Sequence, residues 1–267
     1  MKSRRKYSET PARNPKVSLP RALSKIGFCS RAKGLALIRE GKVRLNGIVT
    51  RDSERRVDLN RDRLEVDGRT ISPAAKIYIM FNKPRGLVVT SSDERGRQTV
   101  YDCLEGEKFP WLAAVGRLDK ASEGLLLFTN DNRWAAGILD PKTHLEKIYH
   151  VQVDRIVDEN LICRIREGKG TKEGEFLLAR KAAILRHGTQ NCWLEIVLDE
   201  GKNRQIRRLL AAFGLSVLRL VRVAIGPLLL GNLAKGAYRH LTSEEIRALN
   251  LLPRPNVTAQ VGARLPS

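Results

Sequence analysis

Long apolar runs, paired cysteines and acidic side chains are all in short supply in this chain, and each shortage removes a class of protein. No stretch approaches the roughly 18 consecutive apolar residues of a membrane span. The start, MKSRRKYSETPARNPK, lacks the apolar core of a secretory signal, so the reading is a soluble, cytoplasmic protein. Cys29, Cys103, Cys163 and Cys192 are widely scattered, with no CxxC pair and no histidine cluster, which argues against a zinc site and a disulfide framework. No GxxxxGK[ST] loop is present, so nothing points to nucleotide hydrolysis. An enzyme built on this chain is expected to need neither metal nor cofactor. Acids are outnumbered, 29 Asp and Glu against 49 Lys and Arg, for a formal net charge of +20 and a pI near 10.3. Such an excess suits a polyanionic partner, because every phosphate contact releases condensed counterions. Nucleic acid leads, and an anionic membrane surface is second.

What is present is a globular composition, 42% hydrophobic over 267 residues, enough for one large domain or for a small and a medium one. Residues 1–16 hold six bases against Glu9 and almost nothing apolar, which reads as a disordered basic arm. Residues 17–69 are tightly punctuated. Ser18 and Pro20 open a short helix that Gly27 ends, Ser30 caps a second that Gly41 stops, and Asn46-Gly47 turns a hairpin between Val43–Leu45 and Ile48-Val49. Leu64, Val66 and the Asp67-Gly68 turn close the unit. Residues 70–76, with Pro73 and two alanines, read as a linker, residues 77–250 as a second domain, and residues 251–267 as a loose tail. In the second domain, strand patterns at 77–81, 87–90, 148–153, 183–185 and 193–198 alternate irregularly with helical patterns at 132–139, 158–167 and 205–213. The expected class is α+β with a mixed, largely antiparallel sheet.

The segment GRLDKASEGLLLFTND, Gly116 to Asp131, is the densest in information. A short apolar stretch before it, a polar turn ending at Gly124 and an apolar run from Leu125 to Thr129 place Asp119 on a connection between two buried strands. From spacing alone, Asp119 is either a local acceptor for turn amides or a carboxylate presented for chemistry.

Two resemblances go further. CSRAKGLALIREGKVRLNG from Cys29 to Gly47, with DRLEVDG from Asp62 to Gly68, resembles the S4 RNA-binding domain. The resemblance implies that Arg21, Arg31, Lys33 and Arg44 lie on RNA, where phosphate contacts position the protein without reading sequence. GRLDKASEGLLLFTND, EKIYHVQV (Glu146 to Val153) and the long run from Glu200 to Leu241, with FNKPRGLVVT before them, resemble the signature motifs of bacterial ribosomal RNA pseudouridine synthases of the RsuA type. These isomerases break the uridine C1′–N1 bond, turn the uracil while it stays bound and rejoin C5 to C1′, without a cofactor. The resemblance implies that Asp119 traps C1′ or removes the 2′ proton, alternatives that sequence leaves open. It implies that Arg207, after Gln205-Ile206, orients and charge-balances Asp119, since a guanidinium favours the ionised carboxylate. Tyr149 would stack on the base and help remove the C5 proton. The target nucleotide must leave its stack to be reached. Lys83, Arg85, Arg117, Lys202, Arg204 and Arg208, joined by Arg219 and Arg222, would line the RNA cleft. The expected substrate is ribosomal RNA, free or in assembling subunits, and the expected state a monomer. The rivals are a noncatalytic RNA-binding or ribosome-assembly factor on the same fold and a metal-dependent nuclease, which would need clustered carboxylates.

Overall fold

The computed structural model describes residues 16–172 and 174–250. The basic arm, apart from Lys16, and the tail expected over 251–267 lie outside the described residues. Two compact units divide the chain, one reaching Ala75 and taking in Phe109–Trp111, the other comprising Lys76–Lys108 and the residues from Leu112 onward.

In the first unit, β1 (Val17–Ser18) leads into α1 (Leu19–Lys25) and α2 (Arg31–Arg39). Strands β2 (Val43–Leu45), β3 (Ile48–Val49), β4 (Arg56–Val57), β5 (Leu64–Val66) and β6 (Arg69–Ile71) follow. β1 pairs with β4, and the other four form an antiparallel sheet in the order β3-β2-β5-β6. The helices start where the sequence places their caps; the Ser30 hydroxyl accepts from the Lys33 amide at 3.1 Å. Both hairpin turns use consecutive positive φ, 53° and 83° at Asn46-Gly47 and 47° and 76° at Asp67-Gly68, the backbone that type I′ turns demand. Gly34 lets α2 close on α1, because a Cβ there would stand 3.2 Å from Leu23 Cδ1. One boundary moves. Thr70 and Ile71, read as linker, belong to β6, where Ile71 pairs with Leu64 and packs on the core; a two-residue turn returns the chain into the sheet before it can leave.

The second unit is organised by β7 (Tyr78–Lys83), β8 (Ala113–Val115), β9 (Glu123–Thr129), β10 (Lys147–Val153), β11 (Lys169–Gly170), β12 (Phe176–Leu177), β13 (Lys181–His187), β14 (Cys192–Leu198), β15 (Val217–Ile225), β16 (Leu228–Leu229) and β17 (Tyr238–His240). Its helices are α3 (Asn132–Leu139), α4 (Glu159–Glu167), α5 (Gln205–Ala212) and α6 (Ser243–Asn250). The main sheet has nine strands and runs β13-β14-β10-β15-β9-β7-β17, with β16 on β15 and β8 on β9. Every pairing is antiparallel except β15 with β9. The α+β class with a mixed, largely antiparallel sheet is therefore what forms. All seven residues of β9 are buried, the mark of a strand covered on both faces. One apolar core gathers Val151, Ile162, Leu194 and Leu209 beside α4 and α5, and another gathers Met80, Leu127, Trp134 and Ile225 beside α3. Asp131 and Asp158 cap α3 and α4, with the Asp158 carboxylate 2.8 Å from the Leu161 amide. Residues 87–90, expected as a strand, make only a single parallel bridge, Val88 to Thr99. No helix among the described residues is long and apolar enough to cross a membrane.

Candidate active site

Asp119 lies in the turn between β8 and β9, and that turn is unusually well held. Ser122 N–H closes it on the Asp119 carbonyl at 3.0 Å. The next three carbonyls each receive a donor from a distant segment. Gly86 N–H reaches Lys120 O at 2.8 Å, Arg207 Nη2 reaches Ala121 O at 3.2 Å, and Lys83 Nζ reaches Ser122 O at 2.8 Å. Four consecutive carbonyls are thus committed, so the loop has little freedom to reorient its aspartate. Among the described residues the carboxylate bonds no turn amide, so the local-acceptor alternative is not what forms. Its partner is Arg204, whose Nη1 stands 3.4 Å from Oδ2.

The expected partner was Arg207, and here the structure redistributes the roles. Arg207 donates from Nη1 to Val217 O at 3.1 Å and from Nη2 to Ala121 O, so it ties β15 to the aspartate's turn and makes no hydrogen bond to the carboxylate. Burial holds its guanidinium below the usual arginine range, the charges of Arg204 and Arg85 add to this, and Asp119 opposes them. Arg207 therefore still feels the aspartate's charge. Two residues before α5, Asn203 carries the chain into Arg204, whose φ of 48° precedes the first helical turn and leaves that side chain the direct contact.

Lys83 is corrected more sharply. Expected on RNA, it is fully buried, and its ammonium lies between Ser122 O and Pro84 O at 2.8 and 3.0 Å. Burial pushes its pKa down to about 8, with Glu123 and Asp119 opposing. It positions the turn from beneath. Arg208 and Lys202 are likewise occupied: Arg208 Nη2 lies 2.7 Å from Glu175, and Lys202 Nζ lies 3.2 Å from Glu200 and 3.6 Å from Glu175. Arg219 pairs with Glu123 at 3.1 Å and lies over the Trp193 ring. Arg21, Arg31, Lys33, Arg44, Arg85 and Arg117 are exposed. Arg31 and Lys33 sit in the first turn of α2, which has no acid. The helix dipole disfavours cations there, so their placement owes nothing to helix stability.

Asp119 opens into a cavity of about 580 Å³. Leu118, Ile138, Leu139, Leu198, Ile206 and Leu220 give it apolar walls, and Tyr149, Lys147, Arg204, Arg207 and Arg222, with the acids Asp199 and Glu200, give it polar ones. Tyr149 enters from β10, directly opposite Arg222 on β15. A second hollow of about 450 Å³ lies against the same turn, sharing Arg117, Leu118, Asp119 and Asn203, with Arg95, Arg97 and Lys120 on its rim. The site thus combines one anchored carboxylate, one aromatic hydroxyl and several guanidinium groups around a slot suited to a planar heterocycle. No cluster of three or more potential metal ligands exists among the described residues.

Sequence comparison decides the family. The model of the RNA pseudouridylate synthase family matches residues 77–212, and that of the S4 domain residues 17–62. An RNA pseudouridine synthase of Aquifex aeolicus is 38% identical over 87% of this chain and 93% of its own length. The chain belongs to the RNA pseudouridylate synthase family. It is an RNA pseudouridine synthase, an isomerase that acts on RNA, with an S4 domain ahead of the catalytic fold. The ribosomal large subunit pseudouridine synthase B of Bacillus subtilis is 33% identical over 88% of this chain and 96% of its own. A crystal structure of a pseudouridylate synthase superposes with a TM-score of 0.62, at 29% identity, covering 87% of this chain and 99% of that one.

Glu123 and Lys147 escaped the sequence reading as site residues, whereas Gly124 was expected there as the end of the polar turn. Glu123 is buried, and its carboxylate lies 2.6 Å from Lys235 as well as against Arg219. Burial alone would raise its pKa, and the two cations more than reverse this, holding it below the usual glutamate value. Gly124 sits where β9 meets β15, and a Cβ there would strike the Arg222 backbone. Lys147 shares a face of β10 with Tyr149, a spacing of two that could have drawn attention to it.

Proposed function

We propose that this synthase converts one or a few uridines of ribosomal RNA, with Asp119 as the carboxylate acting at the ribose, either on C1′ or on the 2′ proton. The observation that carries the reading is the turn itself: four carbonyls are pinned while the carboxylate is left facing a base-sized cavity beside Tyr149. Positioning to this degree suits a group that must meet one atom of a bound nucleotide. Arg204 neutralises the carboxylate while it waits, and Arg207 and Lys83 hold its turn. Tyr149 stacks on the flipped uracil and reaches the C5 proton once C5 has rejoined C1′. The exposed Arg21, Arg31, Lys33 and Arg44 of the S4 domain, with Arg85 and Arg117 of the catalytic unit, hold phosphates. Ribosomal RNA as substrate is supported by the similarity to the Bacillus subtilis large-subunit synthase, and the enzyme acts as a monomer.

The test maps pseudouridine across ribosomal RNA from cells with and without the gene. At least one site must vanish in the deletion strain and return with the wild-type gene but not with Asp119→Asn. Unchanged maps refute the ribosomal assignment. Substantial turnover by purified Asp119→Asn, with its RNA affinity intact, refutes the role of the aspartate.

A further inference from the structure

Arg222 is 6% exposed, yet its charge has no ion-pair partner among the described residues. Its Nε donates to Leu125 O at 2.7 Å. Nη2 is buried without a partner, and neither Nη atom is bonded among the described residues. An uncompensated buried guanidinium is strongly unfavourable to keep, and this one lines the cavity that holds Asp119 and Tyr149. The backbone places it there. The pairing of β10 with β15 runs Ile148 to Ala224 and then Tyr149 to Arg222, skipping Val223. That bulge turns the arginine, in place of a valine, toward the tyrosine's position, as bulges beside active sites commonly do. Lys147, on the same face of β10 as Tyr149, lines the same cavity. Burial depresses its proton affinity, the charge of Arg222 adds to this, and Asp199 opposes them. Two cations are thus held together against their mutual repulsion, at the wall of a base-sized slot.

We propose that Arg222, assisted by Lys147, is the electrostatic catalyst that receives the negative charge of the departing uracil. The inference rests on the function proposed above. When the C1′–N1 bond breaks, its electron pair goes to N1 and spreads over O2 and O4, leaving uracil as an anion. The electron-deficient C1′ is relieved by Asp119, by a bond from its carboxylate or by its removal of the 2′ proton. After the base turns, C5 supplies the pair for the new bond to C1′, the carboxylate or the proton is returned, C5 loses its proton and N1 gains one. Both routes pass through the anion, so the cations serve either. Their stabilisation grows only as charge develops, which places the effect on kcat rather than KM.

The experiment uses full-length enzyme and transcripts spanning the mapped uridine, made once with uridine and once with 5-fluorouridine, whose fluorine itself stabilises the leaving anion. Single-turnover loss of the target nucleoside is followed in nuclease digests for wild type, Arg222→Gln, Arg222→Lys and Lys147→Met. On uridine, Arg222→Gln should slow turnover on the order of 10²-fold with RNA affinity unchanged, Arg222→Lys should recover part of the rate, and Lys147→Met should fall between. On 5-fluorouridine the losses should shrink about tenfold, since less charge remains to be stabilised. Losses equal on both substrates mark a structural role and overturn the proposal, as do variants as fast as wild type. Should Arg222→Gln unfold for want of its bond to Leu125, the substrate comparison on Lys147→Met decides alone. Wild-type enzyme that makes no pseudouridine sinks the functional reading itself. Active wild type, inactive Asp119→Asn and indifferent Arg222 and Lys147 variants sink only this inference.

Discussion

Two glycines of the catalytic unit share a backbone conformation but not a neighbourhood, and substituting each with alanine separates strain from collision. Gly86 and Gly124 both have φ of +100°, while a Cβ on Gly86 meets nothing within 4 Å and one on Gly124 runs into the N, C and O of Arg222. Both alanines carry the penalty of a non-glycine residue in that region, about 1–3 kcal/mol. Only Gly124→Ala must also part β9 from β15, whose register is just Val221 with Glu123 and Arg222 with Gly124. Losing one buried ladder bond there leaves a donor or acceptor unsatisfied, for a further ~2–3 kcal/mol. At about 2–4 °C per kcal/mol for a unit of this size, Gly124→Ala should melt some 5–10 °C below Gly86→Ala. Calorimetry on the catalytic unit's transition, with urea midpoints as a check, reads the difference. Gly86 keeps the amide that holds Lys120 O, so Gly86→Ala should retain turnover while Gly124→Ala, displacing Arg222, should not. Two variants that melt within about 2 °C of each other, a gap below 1 kcal/mol, would falsify the claim that close approach of β9 to β15 requires glycine.

Titration of Lys83 gives a second expectation. Its folded pKa of about 8 lies below the ordinary 10.5, so the unfolded chain binds more protons between those values and stability rises with pH there. The contribution is complete above about 10.5 and lost as pH falls through about 8. Relative to Lys83→Met, wild type should therefore gain up to roughly 3 kcal/mol between pH 7 and 10.5; a pH-independent difference in urea midpoints refutes it. Glu123→Gln removes a carboxylate whose folded pKa is depressed, so its stabilisation is present above the ordinary 4.5 and disappears as pH falls through the folded value. The variant should melt lower than wild type at pH 7 and converge with it in acid, and melting curves that stay parallel across that range would rule out the Arg219 and Lys235 pairing as the cause. Tyr78→Phe loses the bond to Asp131 at 3.0 Å, about 1 kcal/mol. A thermal shift near zero in that variant means the bond contributes nothing net.

What the sequence disclosed follows the range of the forces involved. Ser30, Asp131 and Asp158 act on amides within three residues, and the Asn46-Gly47 and Asp67-Gly68 turns need only their own dihedrals, so each was readable locally. The motif around Asp119 was readable through resemblance. Lys83 was misplaced because its partners are backbone carbonyls, among them that of Ser122, 39 residues away, and a carbonyl has no sequence signature. For the same reason the bonds of Arg207 to Ala121 O and Val217 O could not be foreseen, although its charge does act on Asp119. β15 was passed over because Arg219 and Arg222 interrupt its apolar run, and residues 87–90 look apolar enough for a strand yet make only a single bridge.

The parallel joint between β9 and β15 also sets a timetable for synthesis. Parallel pairing needs a crossover, and here almost a hundred residues separate Glu123 from its partner Val221. The S4 domain, whose hairpins and adjacent helices are nearly all local in sequence, can order as soon as it leaves the ribosome. Asp119 emerges early too, but Arg204, Arg207 and Arg222 come from the far side of that crossover. Closing so long a loop is slow relative to local folding. A nascent chain thus has its S4 domain well before the proposed site is complete, and that site waits for almost the last strands of the sheet.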